Sequence, residues 1–246
     1  MAAGKNKLTR WMRLYFNNFD LSGDARTLDK LDSFVGEVDL TGWSDSVKNY
    51  LSDLVLQTGI RGFQALLNDA TGRAFTRLNS PTGLAAKRVS LLLGSGAEPV
   101  AGDLAYLLDG VDMSDQAGWD GKAAAFKADF LPVAGVAHGW PWGVVLMPLT
   151  ALSNTTNGTA INNLAESLNG WHSNLHIMVS SGGVWAFTIE HSTNGSSWST
   201  LGTFLANGGT VNSEYLAGTG TVNQYVRFVA TKTSGTCTVA CTFARK

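Results

Sequence analysis

The chain reads as an all-β protein with one short helix, built as a β-sandwich or barrel. Three observations predict this. Apolar and polar residues alternate with the two-residue period of half-buried strands along much of the chain. Turn signals punctuate the C-terminal region at Ser181-Gly182-Gly183, Asn194-Gly195, Asn207-Gly208-Gly209 and Ser234-Gly235, as they do in sandwiches and barrels. A helical face is apparent in one short stretch near the start, at 44–51.

Taken in order, residues 1–9 read as a basic arm, and 11–21 as two strands folded about Asn17-Asn18, since Asn tolerates the positive φ of a tight turn. Residues 22–32 are polar and read as a loop. Glu37, Val38, Asp39 and Leu40 alternate as a strand that Thr41-Gly42 breaks. Ser44 then caps a brief helix with Val47, Tyr50 and Leu51 on one face. Strand returns over 54–63 and briefly over 74–78, before the boundary signal Asn79-Ser80-Pro81-Thr82-Gly83. A second strand set covers 88–93, 104–108 and 123–131, with a Gly/Asp-rich loop between the last two. His138-Gly139-Trp140-Pro141-Trp142 leads into an apolar strand at 143–149, followed by a loop at 153–158. An antiparallel meander then runs through 172–179, 184–191, 197–205, 210–216, 224–232 and 236–244. In it Trp185, Phe187 and Ile189 make one face, and Val226 and Phe228 another.

Three units follow. Residues 1–84 are a strand–helix–strand unit with the basic arm, 85–150 the second strand set with an acidic segment, and 151–246 the meander; the alternative is one compound β domain. Val38-Asp39-Leu40-Thr41 with Trp43-Ser44-Asp45 is echoed by Val111-Asp112-Met113-Ser114 with Trp119-Asp120-Gly121, which would make the chain two related halves.

Composition narrows the function. Charged residues make up 15% of the chain, against about 25% in ordinary domains, and the net charge of −1 argues against a general nucleic-acid binder. No apolar run approaches the roughly 20 residues of a membrane span, and residues 1–13 are basic and polar, without the apolar core of a signal peptide. Sixteen of the nineteen acids precede residue 133, so the two ends of the chain are put to different uses.

Reactive constellations are sought without success. Gly94-Ser95-Gly96-Ala97-Glu98-Pro99 has a proline and a glutamate where a dinucleotide loop needs glycine and a free helix start. His172 and His176 fall on a strand, about 13 Å apart, and cannot share one ion; they read as surface residues. Cys237 and Cys241 lie on one face of a strand at the same separation, too far for a disulfide, and read as buried small hydrophobes. No acid/base pair or nucleophile stands out, so the chain reads as neither an enzyme nor the holder of a cofactor or resident metal.

Two features remain. Glu98, Asp103, Asp109, Asp112, Asp115, Asp120 and Asp129 form an acidic run offset only by Lys122 and Lys127. It reads as a solvated face, a surface that repels nucleic acid, or, for Asp109, Asp112 and Asp115, a calcium loop. Trp140, Trp142, Trp171 and Trp198 lie near loops, where indoles either pack into a core or stack on sugars.

A resemblance rests on both ends. Phe19-Asp20-Leu21-Ser22-Gly23, then Glu37-Val38-Asp39-Leu40-Thr41-Gly42-Trp43-Ser44-Asp45 and Lys48-Asn49-Tyr50-Leu51, resemble the opening of tail tube (major tail) proteins of long-tailed bacteriophages. Phe187-Thr188-Ile189-Glu190-His191-Ser192-Thr193-Asn194-Gly195-Ser196-Ser197-Trp198, Tyr225-Val226-Arg227-Phe228 and Phe243-Ala244-Arg245 resemble endings of such virion proteins. The resemblance implies a tail-tube-like subunit made in the host cytoplasm and built into the virion tail. Copies would form stacked homo-oligomeric rings, hexamers or, for a duplicated chain, trimers. DNA would pass through without specific binding, and other virion proteins would be partners. The acidic run at 98–129 would then line the channel. Lys5, Lys7, Arg10 and Arg13, with Trp43 and Tyr50, would meet neighbouring subunits. A capsid decoration or minor tail protein is the alternative within virions, and a carbohydrate-binding adhesin module the alternative outside them.

Overall fold

A computed structural model describes residues 11–39, 50–67, 87–119, 124–132 and 140–245, with backbone alone for 33–39, 50–57, 112–119 and 124. Every regular element among them longer than a turn is a β-strand, arranged in two antiparallel sheets.

The N-terminal strands are β1 (Met12–Phe16), β2 (Phe19–Asp20), β3 (Ala25–Thr27), β4 (Lys30–Asp39), β5 (Tyr50–Leu66), β6 (Lys87–Leu93), β7 (Leu104–Trp119) and β8 (Ala124–Pro132). β9 (Trp142–Leu152), β10 (Thr156–Asn157) and β11 (Ile161–Asn162) follow, then β12 (Trp171–Ser180), β13 (Trp185–Ser192), β14 (Ser199–Thr203), β15 (Asn212–Gly218), β16 (Tyr225–Lys232) and β17 (Cys237–Arg245). The β1–β2 hairpin turns at Asn17 with φ of 51°, as expected for Asn.

The larger sheet runs β15-β12-β17-β9-β7-β6-β1-β2. It curls, so that Tyr15, Leu92, Ala105, Val145 and Ala240 meet on its concave side with Met178. The convex side is covered twice. Over β9, β12 and β17 lies the smaller sheet, β10-β16-β13-β14, with β11 also on β16. Trp171, Leu175, Val239 and Phe243 there pack against Phe187, Ile189, Val226 and Phe228. Over β1 and β6 lie β5 and β8, so that Leu14, Phe16, Val89 and Leu91 bury Ile60, Phe63, Phe126 and Phe130. β6 therefore loses both faces to packing, which is why its sequence is a nearly unbroken apolar run.

β7 joins the parts. Its first half pairs with β6 and β9, and its second half, from Val111 to Trp119, pairs with β8. The changeover falls at Gly110, with φ of 58°, beside a register shift between Lys87 and Val89. This is a β-bulge, where one residue in the left-handed region re-aims the strand. The expected loop after Leu108 is thus a strand, because Asp109-Gly110 bends the ladder without ending it.

Other expectations are corrected. The expected loop at 22–32 contains β3 and the start of β4, which the length of β5 recruits as partners. Tyr50 and Leu51, expected on a helix face, open β5 and pair with Asp39 and Val38. The remaining helix residues, the strand at 74–78 and the boundary at 79–83 lie outside the described residues. The C-terminal strands are where the turn signals put them, but their order is not a meander: β12, β15 and β17 share one sheet while β13, β14 and β16 share the other. Trp185, Phe187, Ile189, Val226 and Phe228 consequently line one face of the smaller sheet rather than two.

Candidate functional site

The long antiparallel ribbon of β4 and β5 runs beyond the stretch of β5 that pairs with β8. β5 has 17 residues, roughly 55 Å of extended chain, against about 45 Å for the diameter of a compact chain of this length. From Ile60 to Leu66 it pairs with β8, and from Tyr50 to Leu56 its one ladder partner among the described residues is β4. A two-stranded ribbon is marginal in water by itself, and its outer edges carry unpaired backbone groups that template further strands.

The base of the ribbon is firmly held. Tyr106, buried on β7, donates its hydroxyl proton to the Asp32 carbonyl and accepts the Gly59 N–H at 2.9 Å. Burial pushes the Tyr106 phenol up to about 12, so it stays a donor. Asp32 binds Arg61 and, at 3.1 Å, Lys30. Burial raises its carboxyl, but these two cations override that and hold it below the ordinary value. The Gly62 N–H is accepted by Asp129 at 2.7 Å.

A second polar centre lies in the concave side of the larger sheet. His172 and His176 are on a strand as expected, but they are buried at 2% and 0% exposure, not on the surface. The sheet's curl accounts for this, since it folds the polar face of β12 over β6. The Asn17 carbonyl only accepts, so His176 Nδ1 carries the proton toward it. Nε2 then accepts from Ser90 Oγ at 2.8 Å. Ser90 in turn accepts from Asn174 Nδ2 at 3.2 Å and from Thr242 Oγ1 at 3.0 Å. Burial pushes the His176 imidazole down to about 4, which keeps it neutral. Arg88 pairs with Asp109 at 3.2 Å at the rim of this centre. The network joins the β1–β2 turn, β6, β12 and β17, and all its side chains are buried.

The residues singled out in the sequence are dispersed. Asp109 is turned to Arg88, Glu98 pairs with Arg13, and Asp103 accepts the Val100 N–H at 2.9 Å. Asp112 and Asp115 stand on β7, a strand rather than a calcium loop, and Asp129 is on β8 beneath Gly62. Among the described residues no group of three acids, histidines or cysteines could hold a metal ion. Lys5, Lys7, Arg10, Trp43 and Asp120 lie outside the described residues. Cys237 and Cys241 are free and buried in the sandwich core, with thiols raised by burial to about 11 and about 12. Of the four tryptophans, Trp171 is buried against Phe243, and Trp198 lies under the Arg227 guanidinium, 4.2 Å from its ring centre. Trp140 and Trp142 come together on one open cleft.

The buried histidine network is what the sequence reading missed. Its one visible signal was Ser90, a hydroxyl set inside the apolar strand Arg88-Val89-Ser90-Leu91-Leu92-Leu93, facing a strand whose polar residues also alternate.

No family model matches the chain, and no curated protein is detectably similar in sequence. Among solved structures, a chain from the structure of infectious bursal disease virus Gx strain aligns at 12% identity over 94% of this chain and 70% of its own, with a TM-score of 0.30. A similarity of that size establishes no common topology and bears on function in neither direction.

Proposed function

We propose that the chain is a non-catalytic structural subunit that assembles with copies of itself through strand edges, and that the assembly is the tail tube of a long-tailed bacteriophage. The observation that carries the first half is the β4–β5 ribbon. It is anchored at its base by Tyr106, Asp32 and Asp129, yet among the described residues the 50–56 half of β5 pairs with β4 and with no second strand. Adding a strand from a neighbour satisfies the open edge and makes the ribbon part of a continuous wall. A rigid base with an open-edged extension suits polymerisation better than catalysis.

The second half rests on the resemblance of 19–23, 37–51 and the C-terminal segments to tail tube proteins. In this reading the rings stack around a channel in the virion tail, and DNA passes along a wall it does not grip. Asp109 and Glu98 already neutralise Arg88 and Arg13 within the chain, and the two-residue period of β7 lets only one of Asp112 and Asp115 belong to that wall.

Electron microscopy of negatively stained, purified protein, run beside light scattering over a concentration series, tests the proposal. Stacked rings or tubes are expected. A monodisperse monomer at the highest concentration overturns self-assembly. Closed rings that neither stack nor enclose a channel keep the assembly and overturn the tube.

A further inference from the structure

The cleft between the start of β9, the end of β17 and the loop after β11 has a volume of about 490 Å³ and is lined by Trp140, Trp142, Asn163, Glu166, Ser167 and Arg245. That is the size of a small-molecule site, and an aromatic wall facing a few placed polar groups is its usual make-up. We propose that this cleft binds a neutral pyranoside, the terminal sugar of a glycan.

Both walls are preorganised. Trp140 is 46% exposed, while its backbone carbonyl is held 2.7 Å from His172 Nε2. Trp142 meets Tyr106 edge-on, with ring centres 5.0 Å apart at 81°. Gly143 lets β9 approach β17 here, since a Cβ would stand 2.1 Å from the Phe243 carbonyl oxygen. The opposite wall is a strapped loop. Arg245 donates to the carbonyls of Ala165 at 2.6 Å and Asn163 at 3.2 Å. Ser167 and Val222 exchange two backbone hydrogen bonds, and Leu164 is held at φ of 68°, 85% exposed. A β-substituted side chain in the left-handed region persists only where its surroundings impose it.

The chemistry selects the ligand. An exposed indole face suits the apolar C–H face of a sugar ring. The Asn163 side chain lines the cleft, and its amide nitrogen, shielded from water, has no hydrogen-bond partner among the described residues, so a turn of the side chain toward the cleft would give a ligand oxygen a donor. The Glu166 carboxylate accepts hydroxyl protons, and Arg245, which keeps its charge while donating to two carbonyls, balances it on the same lining. A cleft with no net charge and an aromatic wall favours a neutral polyol with one apolar face over a phosphate or an acidic sugar.

This inference is independent of the tube proposal, because assembly is read by microscopy and the cleft by ligand binding. The test is saturation-transfer NMR on the full chain with the methyl pyranosides of glucose, galactose, mannose and N-acetylglucosamine. At least one is expected to receive saturation, and Trp140→Ala and Glu166→Gln are each expected to weaken it roughly tenfold or more, with thermal melts confirming that both variants fold. Trp198→Ala, away from the cleft, should bind as the parent does. Saturation of none of the four, binding unchanged in both cleft variants, or preference for glucose 6-phosphate over methyl glucoside overturns the proposal.

Discussion

Ser90 gives its hydroxyl proton to His176 Nε2 across 2.8 Å, and so ties together β6 and β12, strands that share no backbone ladder. The curl of the larger sheet is held at this point by side chains. Replacing Ser90 with Ala strands the imidazole nitrogen and removes one acceptor of the Asn174 amide. A loss of about 1–3 kcal/mol in unfolding free energy is expected, read as a lowered urea midpoint with an unchanged slope.

Acid should weaken the fold through the same histidine. An unfolded histidine titrates near 6.5 and His176 near 4, so between those values the unfolded chain takes up the extra proton. The stability that neutral His176 supplies is complete above about pH 6.5 and is lost as pH falls toward 4, by up to about 3 kcal/mol. His191, lowered less by partial burial, acts in the same direction. Urea titrations at pH 7 and pH 4.5 should show the loss, and His176→Gln should flatten it.

The two thiols should be silent in the native protein. Cys237 and Cys241 are free, buried and raised well above the ordinary thiol value, and reaction requires exposed thiolate. Ellman's reagent at pH 8 is expected to label neither cysteine without denaturant and both in 6 M guanidinium. Fast labelling of native protein would contradict the sandwich core described above.

Tyr106→Phe removes one hydroxyl and unmakes the base of the ribbon. The Gly59 N–H and Asp32 carbonyl lose their shared partner in a buried setting, which costs about 1–3 kcal/mol. The effect should be local. Limited proteolysis is expected to cut within 30–66 faster than in the parent, while the C-terminal sandwich stays resistant.

Phe228→Ala tests the sandwich directly. Phe228 is fully buried and stacks on Phe187, with centroids 5.8 Å apart. Loss of about 3–5 kcal/mol is expected, measured by chemical denaturation.

The C-terminal strands were legible because their signals are local: Asn194-Gly195 or Ser234-Gly235 needs only neighbouring residues to act. Sheet membership was not legible. The stretch 185–192 reads the same whether its strand pairs with β16 in the smaller sheet or joins the larger one, since alternation gives a face and not a partner. Asp109-Gly110 misled for a related reason, because a bulge and a hairpin turn use the same residue pair and only the strand beyond decides between them. His176 was placed on the right element and the wrong side of the surface, as a polar strand face stays polar when a curled sheet closes over it. Trp140 and Trp142 were singled out as part of a group of four, and the structure separated the two that share an open cleft from the two that are packed.

β17 sits in the middle of the larger sheet, between β12 and β9, and supplies residues to both the sandwich and the concave core. It follows both of those neighbours in sequence. The order of synthesis is therefore opposed to the order of assembly: until β17 inserts, β9 and β12 each present a bare edge, and the sandwich lacks Val239, Cys241 and Phe243. Contacts of such long sequence separation form slowly. The facing edges of β9 and β12 therefore stay open until β17 has been made and inserted, and through that interval they are exposed to strands of other chains.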